Sequence, residues 1–484
     1  MIDNKNSYRN IIKATSLIGS LKVFEILIGI IRSKIVAILL GPIGIGITGL
    51  LNSAITMVSS LVSFGLQTSG VRDVSLAFES HDNTRIDQTV STLKKLVWFT
   101  GILGMIIMYI FSNEISQWSF ENTSYALSFK IISIIILTEQ LIIGQTVLMT
   151  GTFNYKLLAK SSLIGNIISL FITIPLYYLY NTNGIVPALV MNGIVRLLLS
   201  YYFSRKIPFK FIRSSIKKTL SDGRIMLQLG LSIALSGIVS QALQYGFRLF
   251  ISNYSGVKEV GLYTAGMGIT LMYIDWIIGA MSTDYVPRLS TASVDSQQFC
   301  LVINKQINFI ITVITPLIIG FVIFVKLLVY ILYTDQFYEI LGMMQWIMIG
   351  MLFRYISFCF SYAIIAKGRS KIFFRYELFF CLISSILWGM GYHLGGFNGL
   401  GFSYLVGYIC YALLMYILCK NDFSFTFDKE TIKNFLLNAT WLIILIIIVL
   451  LTKQTIYRYV IGSVLIGWVV YNSFKKIRLM ISEK

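Results

Sequence analysis

The sequence predicts an all-α integral membrane protein of about fourteen transmembrane helices: two parallel, pseudo-symmetric six-helix lobes around a central cavity, followed by a C-terminal helix pair. Three observations carry this expectation. Of 484 residues, 56% are hydrophobic and only 13% are charged, about half the charged share of a soluble domain. The apolar residues come in blocks of roughly 18 to 30, each long enough to cross a hydrocarbon layer about 30 Å thick as a helix. Short glycine-containing motifs recur along the chain at an interval close to 215 residues.

Taken in order, apolar runs between charged breaks place helices near 11–40, 44–69, 93–112, 125–150, 162–180 and 185–203. A second set follows near 225–252, 259–284, 307–332, 340–366, 373–394 and 399–419, and a final pair near 436–452 and 458–474. The first helix must begin well upstream, because the 37 charge-free residues 35–71 are too few for two crossings and a loop. Lys22, Glu25, Arg32 and Lys34 interrupt it, so it does not read as a cleaved signal, whose apolar region is continuous. The expected organisation is a lobe over 1–205, a basic and amphipathic cytoplasmic crossover over 206–224, a second lobe over 225–420, and the extra pair with its tail over 421–484. Pro175 and Pro316 are candidate helix kinks.

The net charge of +19 would suggest nucleic acid in a soluble domain. Here topology explains it. Of 40 Lys and Arg, 29 fall on the side that holds both termini and only Lys258, Lys453 and Arg458 on the other, which predicts cytoplasmic termini and no nucleic-acid partner. No connecting loop exceeds about 25 residues and none carries a Gly-rich phosphate cradle, which excludes an ATPase domain. The same shortness argues against an enzyme with a loop-borne catalytic domain. Five dispersed cysteines and two distant histidines suggest neither a disulfide framework nor a metal centre, and no cofactor is expected.

The repeat is visible in Gly41-Pro42-Ile43-Gly44-Ile45-Gly46 and Gly256-Val257-Lys258-Glu259-Val260-Gly261, whose outer glycines are each 215 apart. Asn183-Gly184 and Asn398-Gly399 match at the same interval, Arg32 and Arg248 at 216, and Gly151 and Gly368 at 217. An even number of helices per half makes the copies parallel, related by an axis along the membrane normal. Gly41, Pro42, Gly46, Gly256 and Gly261 are candidate hinge or turn positions.

Several charges fall at membrane depth, where each costs at least about 2.5 to 3.5 kcal/mol on insertion scales and so normally faces a bundle interior or a wet cavity. Lys22, Glu25, Gly29 and Arg32 share one face of the first helix, and Gln241, Gln244 and Arg248 one face of the seventh. Glu139, Asp275 and Arg354 are also deep. Internal salt bridges, Glu25 with Arg32 or Arg248 with Asp275, are the alternative to a polar pathway. Lys34, Lys130 and Lys326 lie where snorkelling is expected. Fixed guanidinium groups suit a phosphate or pyrophosphate, whose oxygens they bind two at a time. Lys22, Arg32, Gln241, Gln244, Arg248 and Arg354 are therefore the candidate substrate-binding set, and Glu25, Glu139 and Asp275 the candidate acids for coupling to H⁺ or Na⁺.

Lys13-Ala14-Thr15-Ser16, leading through the first helix to Leu40 and Gly41-Pro42-Ile43-Gly44-Ile45-Gly46, with two six-helix halves and a closing pair, resembles the O-antigen flippases of the multidrug/oligosaccharidyl-lipid/polysaccharide exporter superfamily. The resemblance covers about residues 8–420. It implies two lobes in a V, alternating access, and transfer of an undecaprenyl-pyrophosphate-linked oligosaccharide from the cytoplasmic to the periplasmic leaflet of a bacterial inner membrane. Lys22 and Arg32 match the positive first helix of such proteins. Membrane lipid and the polysaccharide polymerase machinery are the further partners expected. The rival readings are a multidrug or small-molecule antiporter, which would favour acidic and aromatic walls, and a membrane polysaccharide polymerase, which would need a large folded loop.

Overall fold

The computed structural model describes the backbone of residues 4–212, 216–293, 295–451 and 455–482, with side chains over most of that range; the side chains of Lys22, Glu25 and Asp275 lie outside the described set. Among the described residues all regular structure is helical. Among the described residues, eight stretches of 21 to 53 residues are long and apolar enough to cross a membrane. The protein is a multi-pass membrane protein. The longest stretches exceed a single crossing, so they do not fix the number at fourteen.

Helix α1 (Asn4–Ser63) bends at Gly41, whose φ of 60° suits glycine, and Pro42 follows with no N–H to offer the helix. Gly65, also left-handed, starts α2 (Leu66–Glu79), so the helix expected to end near 69 is broken earlier and prolonged. Helix α3 (Asn83–Ile110) begins ten residues before its apolar run because the Asp82 carboxylate accepts from the N–H groups of Thr84 and Arg85 at 2.9 and 3.4 Å. A short helix, α4 (Ser112–Phe120), occupies an expected loop. Helices α5 (Ala126–Gly151), α6 (Tyr155–Tyr180) and α7 (Ile185–Ser204) follow. Hydropathy marks only the apolar centre of a helix; capped polar turns carry it further.

The predicted crossover is an extended strap followed by helix. The Lys210 N–H donates to Asp87 at 2.8 Å, the Ile212 N–H donates to Ser91 at 2.9 Å, and Lys95 donates to the Ile212 carbonyl at 2.8 Å. Lys94 lies over the Phe209 ring, 4.1 Å from its centroid. Helices α8 (Ile216–Ser255), α9 (Val257–Ala292), α10 (Ser296–Leu332), α11 (Leu341–Ala366), α12 (Ser370–Phe423, bent at Gly395 and Gly396), α13 (Lys429–Leu451) and α14 (Thr455–Ser482) complete the chain. Helices α6 and α10 run on through Pro175 and Pro316.

The chain packs as two compact units. The first, Met1–Gly261 with Leu332–Thr334, is built on an aliphatic core that includes Leu66, Val74, Leu93, Val97, Val147 and Met226. The second comprises Leu262–Ile331 and Asp335–Lys484. In it, an amide ladder fastens α13 to α10: Asn308 donates to Glu430 at 2.9 Å, and Asn434 donates to the Asn308 carbonyl and to Thr312 at 3.1 Å each. Asn438 continues it to Asn434 at 2.8 Å. Such buried amides fix register, since a one-turn slip would leave each of them unpaired.

The backbone carries the repeat more exactly spaced than the sequence suggested. Left-handed residues pair at 215 three times: Gly41 with Gly256, Phe153 with Gly368, and Asn181 with Gly396. A Cβ on Gly184 would strike the Leu176 carbonyl, and one on Gly399 would strike the Gly391 carbonyl, again 215 apart on both sides of the contact. The partner of Gly368 is thus Phe153 and not Gly151.

Candidate functional site

The two glycine turns meet inside the first unit. A Cβ on Gly46 would fall on the Val257 carbonyl oxygen, and one on Gly261 would fall on the Pro42 carbonyl oxygen. Since 257 is the repeat partner of 42 and 261 that of 46, the contact is reciprocal, as a local two-fold axis requires. Glycine is needed at both positions for the backbones to touch. Gly41, Pro42, Gly46, Gly256 and Gly261 are therefore brought together.

From this junction α1 and α8 run back through the first unit. Arg32, on α1, is hydrogen-bonded to the buried Tyr177 of α6, whose hydroxyl also meets Thr48. Among the described residues no carboxylate forms an ion pair with Arg32. On α8, the half-buried Arg248 donates to the Gln244 carbonyl at 3.5 Å and Gln244 donates to Ser240 at 3.3 Å, while Gln241 is half-buried beside them. In the 215 register Arg32 pairs with Phe247, so Arg248 stands one residue on, about 100° round the helix. The two arginines are not symmetric mates.

Glu139 of α5 accepts from Ser59, with Arg196 of α7 as its electrostatic neighbour. Gln140, beside it, donates to Ser59 at 3.1 Å and accepts from Thr100 at 3.4 Å. Ser59 thus links an acid at membrane depth to a hydroxyl and amide chain from α1, α3 and α5.

In the second unit Arg354, on α11, donates to the Met351 sulfur at 3.6 Å and lies beside Tyr408. Tyr404 and Tyr408 sit 4.7 Å apart by ring centroid, and the Tyr411 hydroxyl donates to Glu377. Glu377 was not among the residues chosen from the sequence: its helix begins at Ser370, so it sits deeper than its place near a charged break suggested. The Tyr404, Tyr408, Tyr411 spacing, a one-face helical pattern, was the signal available. Tyr177, Thr48 and Ser59 carry no pattern that separates them from other polar residues. Of the lysines expected to snorkel, Lys34 donates to the Tyr333 carbonyl, and Lys130 and Lys326 lie over Tyr109 and Tyr338. Lys22, Glu25 and Asp275 remain outside the described residues.

The sequence profile of a family described as polysaccharide biosynthesis protein matches residues 35–342, more than half the chain. The protein belongs to this family. Within reach of family-level similarity, it is 25% identical over 353 residues to a Shigella flexneri protein named "Putative O-antigen transporter", covering 69% of this chain and 79% of that one. It is 22% identical over 402 residues to the lipid III flippase of Escherichia coli (strain K12), covering 80% and 92%. Among solved structures it resembles the lipid II flippase MurJ in an inward closed conformation, with a TM-score of 0.69 at 16% identity over 97% of this chain and 100% of that one. An inward-facing multidrug resistance MATE transporter of the MOP superfamily gives a TM-score of 0.67 at 14% identity over 84% and 94%. The family member thus has the all-helical fold of those transporters.

Proposed function

We propose that the protein is a flippase for a lipid-linked oligosaccharide, carrying an undecaprenyl-pyrophosphate-linked O-antigen repeat unit from the cytoplasmic to the periplasmic leaflet of a bacterial inner membrane. Similarity to an O-antigen transporter and to a lipid III flippase supports the substrate class. The observation that carries the reading is Arg32: a guanidinium at membrane depth, bonded to the Tyr177 hydroxyl that also meets Thr48, is placed to receive an anionic head. In this reading Lys22, Gln241, Gln244, Arg248 and Arg354 complete the polar path, and Glu139, with Glu25 and Asp275, is the place for an H⁺ or Na⁺ to couple. The lobes are 1–205 and 225–420, both termini are cytoplasmic, and the reciprocal glycine contact is the closed outer end of an alternating-access cycle.

Deletion in the host tests this: lipid-linked repeat units should accumulate on the inner leaflet and surface polysaccharide should disappear, both restored by the wild-type chain. Intact surface polysaccharide would overturn it. A second reading, a multidrug antiporter, is favoured by one observation, the acidic and aromatic cluster of Glu377, Tyr408, Tyr411 and Trp388. Drug efflux that is lost in Glu377→Gln, with polysaccharide export intact, would establish it.

A further inference from the structure

In the 215 register, Glu139, Ser162 and Arg196 of the first half correspond to Arg354, Glu377 and Tyr411 of the second. In the second half the Tyr411 hydroxyl is bonded to Glu377, which closes that position. In the first half the same position is open. A cavity of about 100 Å³ lies between α5, α6 and α7, lined by Thr146, Ser161, Ser162, Asn166, Arg196 and Ser200. Where the second half has the acid Glu377 the first has Ser162, and where the second has Tyr411 the first has the cation Arg196. Arg196 forms no hydrogen bond or ion pair with another described residue; its electrostatic neighbour Glu139 stands about two turns from Thr146 on the same face of α5.

Ser162 is seven residues into α6 and Arg196 eight before the end of α7, so the cavity lies about 10 to 12 Å inside helix ends at 1.5 Å per residue. Those ends carry the exposed Lys156, Lys160, Arg205 and Lys206. The neighbouring faces of α6 and α7 expose Ile164, Ile167 and Leu198. A cationic rim, a polar floor with one arginine and apolar flanks suit a molecule with an anionic head and acyl chains. A cavity of this size suits a single phosphate group.

We propose that this cavity binds the phosphate of an anionic lipid head group, with Arg196 supplying the charge and Ser161, Ser162 and Asn166 supplying hydrogen bonds. The site is independent of the flippase reading. The purified full-length protein should be titrated with short-chain phosphatidylglycerol, with short-chain phosphatidylcholine and with inorganic phosphate, following Tm. Phosphatidylglycerol should raise Tm saturably, and Arg196→Gln should weaken its Kd by about tenfold or more. Gly165→Leu gives an independent check, since a Cβ there lies 3.6 Å from Arg196 Cγ and a longer side chain fills the cavity without touching its charge; it should abolish the saturable shift while leaving the lipid-free Tm near that of the wild type. Equal affinity in both variants, or inorganic phosphate or phosphatidylcholine matching phosphatidylglycerol, would overturn the proposal.

Discussion

In the first half of the chain, position 139 is an acid bonded by Ser59; in the second, its repeat partner at 354 is an arginine beside Tyr408. Around them, the first half offers hydroxyls and amides (Ser59, Thr100, Gln140), and the second offers tyrosines (Tyr404, Tyr408, Tyr411). Yet both halves turn left-handed at matching residues and make the same contact at Gly184 and Gly399. Backbone turns allow few residue types, because a Cβ would collide or the φ would be strained. A side chain facing a polar interior needs only some partner for its polar atoms. A duplicated chain can therefore keep its frame while the charge at one interior position, 139 against 354, is reversed.

The largest effect expected from this asymmetry is on transport. Arg32→Gln should lower flipping by roughly ten- to a hundredfold, the value of hydrogen bonds to a charged group, whereas Arg32→Lys should retain part of it by keeping the charge without the fork. Arg354→Gln, in the half where the cation sits among tyrosines, should be milder. Export of lipid-linked units in deletion cells carrying each variant measures all three. Equal, undiminished export would remove the cation path from the account.

Next in size is the frame itself. Gly46→Ala and Gly261→Ala each drive a methyl into the opposite turn's carbonyl, and overpacking of this kind costs about 1 to 3 kcal/mol. The two should lower Tm to a similar degree, because the contact is reciprocal. Gly246→Ala in α8 meets no neighbour within 4 Å and should hold or raise Tm, alanine being better than glycine inside a helix by up to about 1 kcal/mol. Unequal losses at Gly46 and Gly261 would mean that the two turns do not share the junction evenly.

What the sequence could disclose follows the same division. The apolar blocks and the turn glycines were legible because length and φ constrain residue choice, so the helix order and the interval of 215 could be read directly. The polar turns at the ends of α3 and α8, and all of α4, were not, because hydropathy is silent outside the hydrocarbon. The cations Arg32, Arg248 and Arg354 were visible as charges in apolar runs; their partners were not, because Tyr177 and Tyr408 come from helices far away in sequence. The pairing of Arg32 with Arg248 at 216 looked like part of the repeat, and only the turns at Gly41 and Gly256 show that it is one residue out.

The smallest effect concerns position 73, outside the apolar spans, where the first half has an aspartate and the second has Arg288. Partial burial in α2 raises the Asp73 carboxyl above its ordinary value, and the charges of Arg72 and Arg85 offset this only in part. The folded protein thus holds that proton more tightly than the unfolded chain. Its contribution to stability is present below the unfolded carboxyl value and is lost as pH rises through the raised one, so the ionised form disfavours folding at neutral pH. Asp73→Asn, which cannot ionise, should raise Tm slightly at pH 7, with the gain shrinking toward pH 4. Asp73→Arg, copying the second half, would place a third cation beside Arg72 and Arg85 and should lose that gain at low ionic strength. A Tm difference between wild type and Asp73→Asn that is constant from pH 4 to 7 would show that the carboxyl is not perturbed by its burial.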